Sequence, residues 1–200
     1  MRKRIEQRLG ASTLAADPVA AALDALPPHV SQTWFDKPLI PAAVLVPLVT
    51  RGDDISLLLT QRTAHLKDHP GQISFPGGRT EPGDAGAVDT ALREVHEEIG
   101  IAPDAVSVVG YMHPLAVVTG FAVTPVVGFV GGDYTLVLDA YEVEEAFEVP
   151  LDFLLDAGNE VPTLRRVRGI EARFYEYHFD GRRIWGATAV MIKSFVDLIK

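Results

Sequence analysis

One amphipathic helix constrains the fold of this chain more than any other segment. In the stretch "AVDTALREVHEEIG", apolar residues recur at i, i+4, i+7 and i+11, which forms one stripe of a 3.6-residue period. These residues are Val88, Leu92, Val95 and Ile99. Gly100 is placed to end the helix in a left-handed conformation, and Ile101 to pack back on the last turn. The apolar stripe must be buried against another element, so the chain is predicted to fold around this helix.

Segments with strand character lie on both sides of the helix. We predict strands at Ala42 to Val49, Ile55 to Arg62, Val106 to Met112, Phe121 to Val130 and Val143 to Val149, with a brief strand in "QISF". A hairpin is signalled by Asp180-Gly181, and a short helix is predicted in "LDFLLDAG". The C-terminal "ATAVMIKSFVDLIK" is predicted to be helical. Many strands around one central helix, with helices at both ends, predict an α+β fold.

The first part of the chain differs in character from the rest. Residues 1 to 26 are predicted to be helical with an interruption at "ADP", and "LPPHVSQTWFDKP" is interpreted as a proline-rich connector. Two hundred residues suggest one domain with a short appendage. The absence of cysteine excludes disulfides and thiolate metal sites and favours a reducing compartment, so we expect a cytoplasmic location.

The charge-free stretch from Ala105 to Gly132 raises the question of a membrane span. Pro114 and Pro125 interrupt it and glycines are frequent, whereas a spanning helix needs about 20 mainly apolar residues in continuity. Two buried strands around a turn explain the stretch better. We therefore expect no membrane association.

The formal net charge of −9 limits the class of partner. Nucleic-acid polymers bind basic surfaces, so a polymer is not expected as the main partner. A small anionic substrate would need local help from a metal ion or a basic cluster. The sequence leaves open whether the chain forms a homodimer.

Three carboxylates crowd one side of the central helix. Glu94, Glu97 and Glu98 lie within a 100° arc, and like charges one turn apart cost roughly 0.2–0.5 kcal/mol per pair. One interpretation is a solvated acidic face in which Arg93 pairs with Glu97. The other is a site for Mg²⁺ or Mn²⁺, which prefer hard oxygen ligands and share them with phosphate. The glycine-rich loop before the helix lets backbone approach a ligand closely.

The string from Gly77 to Ile101 resembles the Nudix box, G-x5-E-x7-R-E-U-x-E-E-x-G-U, where U is apolar. Gly78 opens the motif, and its second half is matched in order by Arg93, Glu94, Val95, Glu97, Glu98, Gly100 and Ile101. The first half departs from the pattern. Asp84 stands where the first Glu belongs, and eight residues rather than seven separate it from Arg93.

The upstream string "LLTQRTAHLKDHPGQISFPGG", Leu58 to Gly78, is similar to the signature of the coenzyme A-directed Nudix subgroup. That signature reads L-L-T-x-R-[S/A]-x3-R-x3-G-x3-F-P-G-G, and members often carry the same expanded box with Asp. Thr63 replaces Ser or Ala, and Lys67 replaces Arg. Three later strings, "VTGFAVTPVVG", "EVEEAFEVPL" and "IWGATA", also resemble the subgroup. The resemblance covers about residues 40 to 190.

The resemblance implies a fold, a division of the chain and a reaction. The fold is the Nudix α/β/α sandwich around a mixed sheet, with a Nudix domain at residues 38–200 preceded by a helical extension and connector at residues 1–37. The reaction is metal-dependent hydrolysis of a diphosphate, which in coenzyme A gives 3′,5′-ADP and 4′-phosphopantetheine. Glu97, Glu98 and the Gly78 carbonyl would hold Mg²⁺ or Mn²⁺, Glu94 would be a further ligand or orient the other two, and Arg93 would fix the carboxylates.

Other roles rest on the same resemblance. Glu142 is the candidate general base, with Glu145 as the alternative. Substrate contacts are expected from Arg62, Lys67, His69 and Gln72. The basic run Arg165 to Arg168 is either a phosphate contact or a solvated strand face. Two alternative functions stay open: a Nudix hydrolase of ADP-ribose, a dinucleotide or a nucleoside triphosphate, and a non-catalytic Nudix-fold binding module.

Overall fold

The protein forms three layers, with helices on both faces of a mixed β-sheet. The computed structural model describes residues 1–131 and 134–200, so Gly132, the last residue of the charge-free stretch, lies outside it. The helices are α1 (Arg2–Leu9), α2 (Pro18–Asp24), α3 (Pro28–Trp34), α4 (Ala87–Ile99), α5 (Leu151–Leu155) and α6 (Gly186–Ile199). The α+β class and the expected sandwich around a mixed sheet are confirmed.

The strands fall into one large and one small sheet. They are β1 (Ile40–Arg51), β2 (Asp54–Arg62), β3 (Ile73–Ser74), β4 (Gly77–Arg79), β5 (Val106–Tyr111), β6 (Leu115–Val117), β7 (Phe121–Val130), β8 (Val143–Pro150), β9 (Val161–Val167), β10 (Ile170–Phe179) and β11 (Arg182–Ile184). The large sheet runs β3-β2-β1-β7-β5, with β4 on β1, β6 on β7 and β8 on β2. β1 and β7 are parallel, and the small sheet runs β11-β10-β9.

Alternation along β1 explains why the sheet is covered twice. Leu45 and Val49 face a core shared with α4, whereas Val46 and Leu48 face the core that holds α1, α5 and α6. Since successive side chains of a strand point to opposite faces, a continuous apolar run buries both faces. The burial pattern of β1, with eight consecutive buried residues, shows this directly.

The N-terminal region is more structured than predicted. The helical prediction for residues 1–26 resolves into α1 and α2, and the Asp17 side chain caps α2 by accepting from the amides of Val19 and Ala20. The segment interpreted as a proline-rich connector contains a helix, since α3 begins at Pro28. Proline is favoured at the first helical position, where its missing N–H is not needed. Ile5 of α1 is fully buried in the main core. The boundary between residues 37 and 38 stays a prediction.

Several strands are longer than the sequence predicted, or were not predicted with certainty, because they pair with distant strands. β1 extends past the predicted Ala42 to Val49 because it pairs with β7 over ten residues and with β2 at its end. The glycine-rich loop before α4 begins with a short strand, because β4 pairs with β1. A strand was predicted in β9 only as one alternative for Arg165 to Arg168, and β10 supplies its partner. The predicted hairpin at Asp180-Gly181 is confirmed as the β10–β11 connection.

The central helix α4 ends as its sequence predicts. Gly100 adopts the left-handed conformation with φ 75°, and its amide donates to the His96 carbonyl. Val95 and Ile99 are fully buried and Ile101 nearly so, while Val88 and Leu92 pack at the border of the same core. None of the helices in the described part of the chain has the length and apolar character that crossing a membrane requires.

Candidate functional site

The candidate site forms where α4 packs against the Gly77-Gly78 pair of β4. Gly77 has φ 153°, and a Cβ there would lie 2.4 Å from the Ala43 carbonyl oxygen. A Cβ on Gly78 would lie 2.5–2.7 Å from the carboxylate atoms of Glu94. The absence of a side chain at Gly77 therefore lets β4 lie close to β1, and its absence at Gly78 lets the Glu94 carboxylate approach the backbone of β4.

Glu98 is the buried carboxylate of the site. Its side chain is 7% exposed, and its Oε2 accepts a hydrogen bond of 3.2 Å from the Gly77 amide. Burial, reinforced by the nearby Glu94 carboxylate, raises the pKa of Glu98 to about 8. Burial also raises the pKa of Glu94, whose side chain is 16% exposed. Two carboxylates thus share a region with little water to stabilise their charge.

Arg93 holds three carboxylates in place. Its Nη1 donates to Glu94 Oε1 at 2.9 Å and to Glu97 Oε2 at 3.1 Å. Its Nε and Nη2 donate to the two oxygens of Asp84, each at 3.0 Å. The predicted pairing of Arg93 with Glu97 is confirmed. A bidentate arginine–carboxylate contact fixes orientation as well as distance.

Asp84 keeps its contact with Arg93 despite the expanded spacing of the box. Its carboxylate also accepts from the Thr90 hydroxyl at 2.9 Å and from the Glu81 amide at 2.9 Å. Hydrogen bonds from Arg93 hold the pKa of Asp84 well below its usual range. Asp84 therefore anchors the arginine, and the loop before α4 takes up the extra residue.

Glu97 differs from its two neighbours in exposure. Its side chain is 56% exposed, against 16% for Glu94 and 7% for Glu98. The three carboxylates predicted to share one arc therefore run from solvent to interior around the helix. Glu97 is the member that reaches outward.

Arg62 and Glu142 extend the site beyond the helix. Arg62 Nη1 lies 3.7 Å from Glu98 Oε1 and 3.8 Å from Glu142 Oε2, so both ion pairs are longer than a hydrogen bond. Arg62 Nε is buried and has no hydrogen-bond partner among the residues described. The guanidinium thus retains donors for a further acceptor. Glu142 is half-exposed beside it, whereas the alternative base Glu145 is held by Arg182 at 2.8 Å.

Thr63 connects the strand that carries Arg62 to the segment that carries Glu142. Its amide donates to the Glu142 carbonyl at 2.9 Å, and its hydroxyl donates to the Tyr141 carbonyl at 2.7 Å. Thr63 is 7% exposed. Sequence reasoning treated this residue only as a departure from the subgroup signature. Its structural role could not be seen there, because its partners Tyr141 and Glu142 lie 78 and 79 positions away in the chain.

The other predicted substrate residues lie in the loop after β2. His69 has φ 57°, and its Nδ1 lies 2.7 Å from Gln72 Oε1. The Gln72 carbonyl accepts from the Arg62 amide, which ties this turn to the site. Lys67 is exposed on the same loop. The structure places Arg62 next to the carboxylates. His69 and Gln72 lie in one turn and contact each other.

The basic run of β9 has a different setting from the carboxylates. Arg165 Nη2 donates to Glu176 Oε1 at 2.6 Å, and Arg183 donates to both oxygens of Glu176. Both guanidinium groups lie over the Trp185 ring, at 4.9 and 5.7 Å from its centroid. Arg165 is therefore committed within the small sheet, while Arg166 and Arg168 are exposed.

The donor set fits a hard divalent cation. Within residues 1–131 and 134–200, no three acidic or imidazole side chains are already drawn together as a metal cluster. The carboxylates of Glu94 and Glu98 nevertheless flank the Gly77-Gly78 backbone, with Glu94 in the space that a Cβ on Gly78 would fill. Carboxylate oxygens of this kind suit Mg²⁺ or Mn²⁺. Glu94, Glu98 and the Gly78 carbonyl are the residues that could hold the ion, with Glu97 at the solvent side.

Comparison with known proteins decides the family. The NUDIX domain model matches residues 39–175, which is more than half of the chain. The chain belongs to the Nudix family. A relative from Enterobacter sp., named "Uncharacterized Nudix hydrolase NudL", is 41% identical over 157 residues, covering 76% of this chain and 79% of the relative. The protein of the same name from Escherichia coli K12 is 42% identical over 153 residues, with the same coverage.

Solved structures agree with the fold. A MutT/nudix family protein from Enterococcus faecalis superposes with a TM-score of 0.51 at 17% identity, covering 94% of this chain and 76% of that chain.

The present chain is a Nudix hydrolase, a class that acts on phosphoric anhydrides and generally uses divalent metal ions such as Mg²⁺ or Mn²⁺. The superfamily resemblance and the hydrolase class are confirmed.

Proposed function

We propose that this Nudix hydrolase cleaves the diphosphate of coenzyme A or its derivatives, giving 3′,5′-ADP and 4′-phosphopantetheine or its acyl form. The observation that carries the proposal is the placement of Arg62 between Glu98 and Glu142, at 3.7 and 3.8 Å. A diphosphate needs both a cationic contact and a carboxylate-held metal, and this arrangement supplies donors for both.

The preference for coenzyme A rests on the signature from Leu58 to Gly78. In the fold this string forms the end of β2, the loop that follows it, and the strands β3 and β4. The string thus supplies Arg62 on one side of Glu98 and the Gly77 amide on the other. A sequence signature that surrounds the buried carboxylate supports a role in substrate selection rather than in folding alone.

The residues of the site have different roles in the proposed hydrolysis. Arg93 orients Glu94 and Glu97 by charge-assisted hydrogen bonds, and Glu98 lies deepest. Bound Mg²⁺ or Mn²⁺ would neutralise charge on the diphosphate and make an attacking water more acidic. Arg62 binds a phosphate oxygen through its uncommitted N–H groups. Glu142 accepts the proton of the attacking water, since its carboxylate is half-exposed and faces Arg62.

A substrate panel tests the proposed specificity. Purified protein is incubated with coenzyme A, 3′-dephospho-coenzyme A and ADP-ribose, each with Mg²⁺, with Mn²⁺ and with chelator, and the nucleotide products are separated by chromatography. We expect metal-dependent release of 3′,5′-ADP with the highest kcat/KM for coenzyme A. A higher kcat/KM for ADP-ribose would show that the preferred substrate is another nucleoside diphosphate derivative rather than coenzyme A. No hydrolysis of any member would favour a binding module.

Replacement of Glu98 tests the role of the buried carboxylate. Glu98→Gln keeps an acceptor for the Gly77 amide but removes the charge, so we expect kcat to fall about a hundredfold or more with the fold intact. Glu144→Gln is the matched control, because Glu144 is an exposed acid on β8. Calorimetric titration with Mn²⁺ should show weaker binding for E98Q only. Equal turnover in the two variants would refute the assignment.

A further inference from the structure

An exposed pair of aromatic rings belongs to the two segments that carry Arg62 and Glu142. The rings of His65 and Tyr141 have centroids 4.9 Å apart and planes inclined at 58°. Tyr141 is 66% exposed, which is unusual for a large aromatic side chain. Tyr141 is not part of the hydrophobic core, so its packing contributes little to the fold.

The position of this exposed ring is nevertheless closely defined. The Tyr141 amide donates to Asp139 Oδ1 at 2.9 Å, and its carbonyl accepts from the Thr63 hydroxyl at 2.7 Å. The neighbouring Glu142 carbonyl accepts from the Thr63 amide. The Asp139 amide donates to the Glu98 carbonyl at the end of α4. The backbone that carries the exposed Tyr141 ring is therefore held on both sides.

The aromatic pair and the charged pair arise from the same two segments. Arg62 precedes His65 by three residues, and Tyr141 immediately precedes Glu142, so their Cα atoms are about 3.8 Å apart. A ligand whose phosphates contact Arg62 is therefore bound by the same two segments that carry the exposed rings. The flat group of a nucleotide is its base, and every base has a π-face that stacks on an aromatic side chain.

We propose that Tyr141, backed by His65, is the stacking platform for the nucleobase of the substrate. This inference rests on the proposed function, because it assigns the nucleotide end of the same substrate. The His65 ring contacts the Tyr141 ring at a tilt of 58°, and the base stacks on the exposed face of Tyr141. Stacking tolerates any base, so the platform sets affinity for a nucleotide rather than recognition of one base by hydrogen bonds.

Binding of AMP and of ribose 5-phosphate to the protein tests the platform without any hydrolysis. The two ligands share a phosphate and a ribose but differ in the base. We expect the protein to bind AMP about tenfold more tightly than ribose 5-phosphate by calorimetry, which is the scale of one base–aromatic stack. Addition of AMP should also shift the ring resonances of Tyr141 and His65.

Four variants separate stacking from packing. Tyr141→Phe should keep the preference for AMP, while Tyr141→Ala and Tyr141→Leu should abolish it, because leucine supplies bulk but no flat face. Leu164→Ala is the control, since Leu164 is 68% exposed on β9. Thermal unfolding should show all four variants folded, because Tyr141 is held by its backbone.

The outcomes distinguish this inference from the proposed reaction. Loss of the AMP preference in Y141A, with kcat for the best substrate kept within about twofold and KM raised about tenfold, supports the platform. An unchanged AMP preference in Y141A, or no preference in the wild-type protein, overturns it. If the protein prefers AMP but hydrolyses no diphosphate, the proposed function is rejected and the stacking role of Tyr141 is retained.

Discussion

Gly78 shows how one missing side chain determines the geometry of the site. The Glu94 carboxylate occupies the space that a Cβ on Gly78 would fill, at 2.5–2.7 Å. Arg93 holds that carboxylate from the other side at 2.9 Å. The carboxylate therefore has one available position, between a guanidinium group and a bare backbone.

Substitution of Gly78 by alanine should displace the Glu94 carboxylate. A displacement of about 1 Å near reacting groups costs on the order of a hundredfold in rate, so we expect kcat to fall by about that factor. Gly83→Ala is the matched control in the same loop, because a Cβ there would meet no atom within 4 Å. Steady-state hydrolysis and Mn²⁺ titration of both variants check the expectation. Full activity in G78A would show that Glu94 tolerates displacement.

At the scale of elements, the site depends on segments far apart in the chain. The segment after β7 returns along the end of α4, where the Val137 amide donates to the Ile99 carbonyl and the Asp139 amide to the Glu98 carbonyl. Thr63 at the end of β2 binds the same segment from the other side. These contacts place Glu142 beside Arg62, although Glu142 lies 44 positions beyond Glu98 in the chain.

Thr63→Val should loosen this segment while preserving shape. Valine cannot donate to the Tyr141 carbonyl, so we expect the free energy of unfolding to fall by about 1 kcal/mol and kcat to fall several-fold. The amide at position 63 should exchange its hydrogen faster, because it bonds to the Glu142 carbonyl. Urea unfolding, hydrogen exchange and turnover provide the measurements. Thr63→Ser keeps the hydroxyl and should behave as wild type; equal effects in T63S and T63V would instead indicate a packing defect.

At the scale of the whole molecule, a buried carboxylate ties the small sheet together. Glu176 of β10 is 4% exposed and binds Arg165 of β9 and Arg183 of β11. Hydrogen bonds from Arg183, followed by those from Arg165, lower the pKa of Glu176 to about 2 from its usual 4.5. The three strands thus depend on one negative charge as well as on their backbone ladders.

The contribution of Glu176 to stability should depend on pH. Since its folded-state pKa is depressed, the charge stabilises the protein above about pH 4.5, and this contribution is lost as the pH falls through about 2. Glu176→Gln should therefore lower the free energy of unfolding by roughly 2 kcal/mol at pH 7. The difference from wild type should shrink between pH 4.5 and pH 2. Urea unfolding across this range measures it, with exposed Glu171→Gln as the control. A difference independent of pH would contradict the expectation.

Local patterns in the sequence were sufficient for α4, for most strands and for the family. The apolar stripe of α4, the glycine at its end and the order of the box residues depend on spacing along one chain segment. The pairing of Arg93 with Glu97 followed from the same spacing. The strand β9, the helix α3 and the extension of β1 depend instead on partners or on a terminal proline, so their signals were weak or misread.

Residue spacing along one segment was enough to predict that three carboxylates share one helix. The burial of Glu98, the exposure of Glu97 and the contact by which Thr63 holds Glu142 beside Arg62 follow from the packing of distant segments. The physical reason is that burial and ion pairing depend on which segments pack together. Helical periodicity sets the direction of a side chain, whereas the neighbouring strands set what that side chain meets.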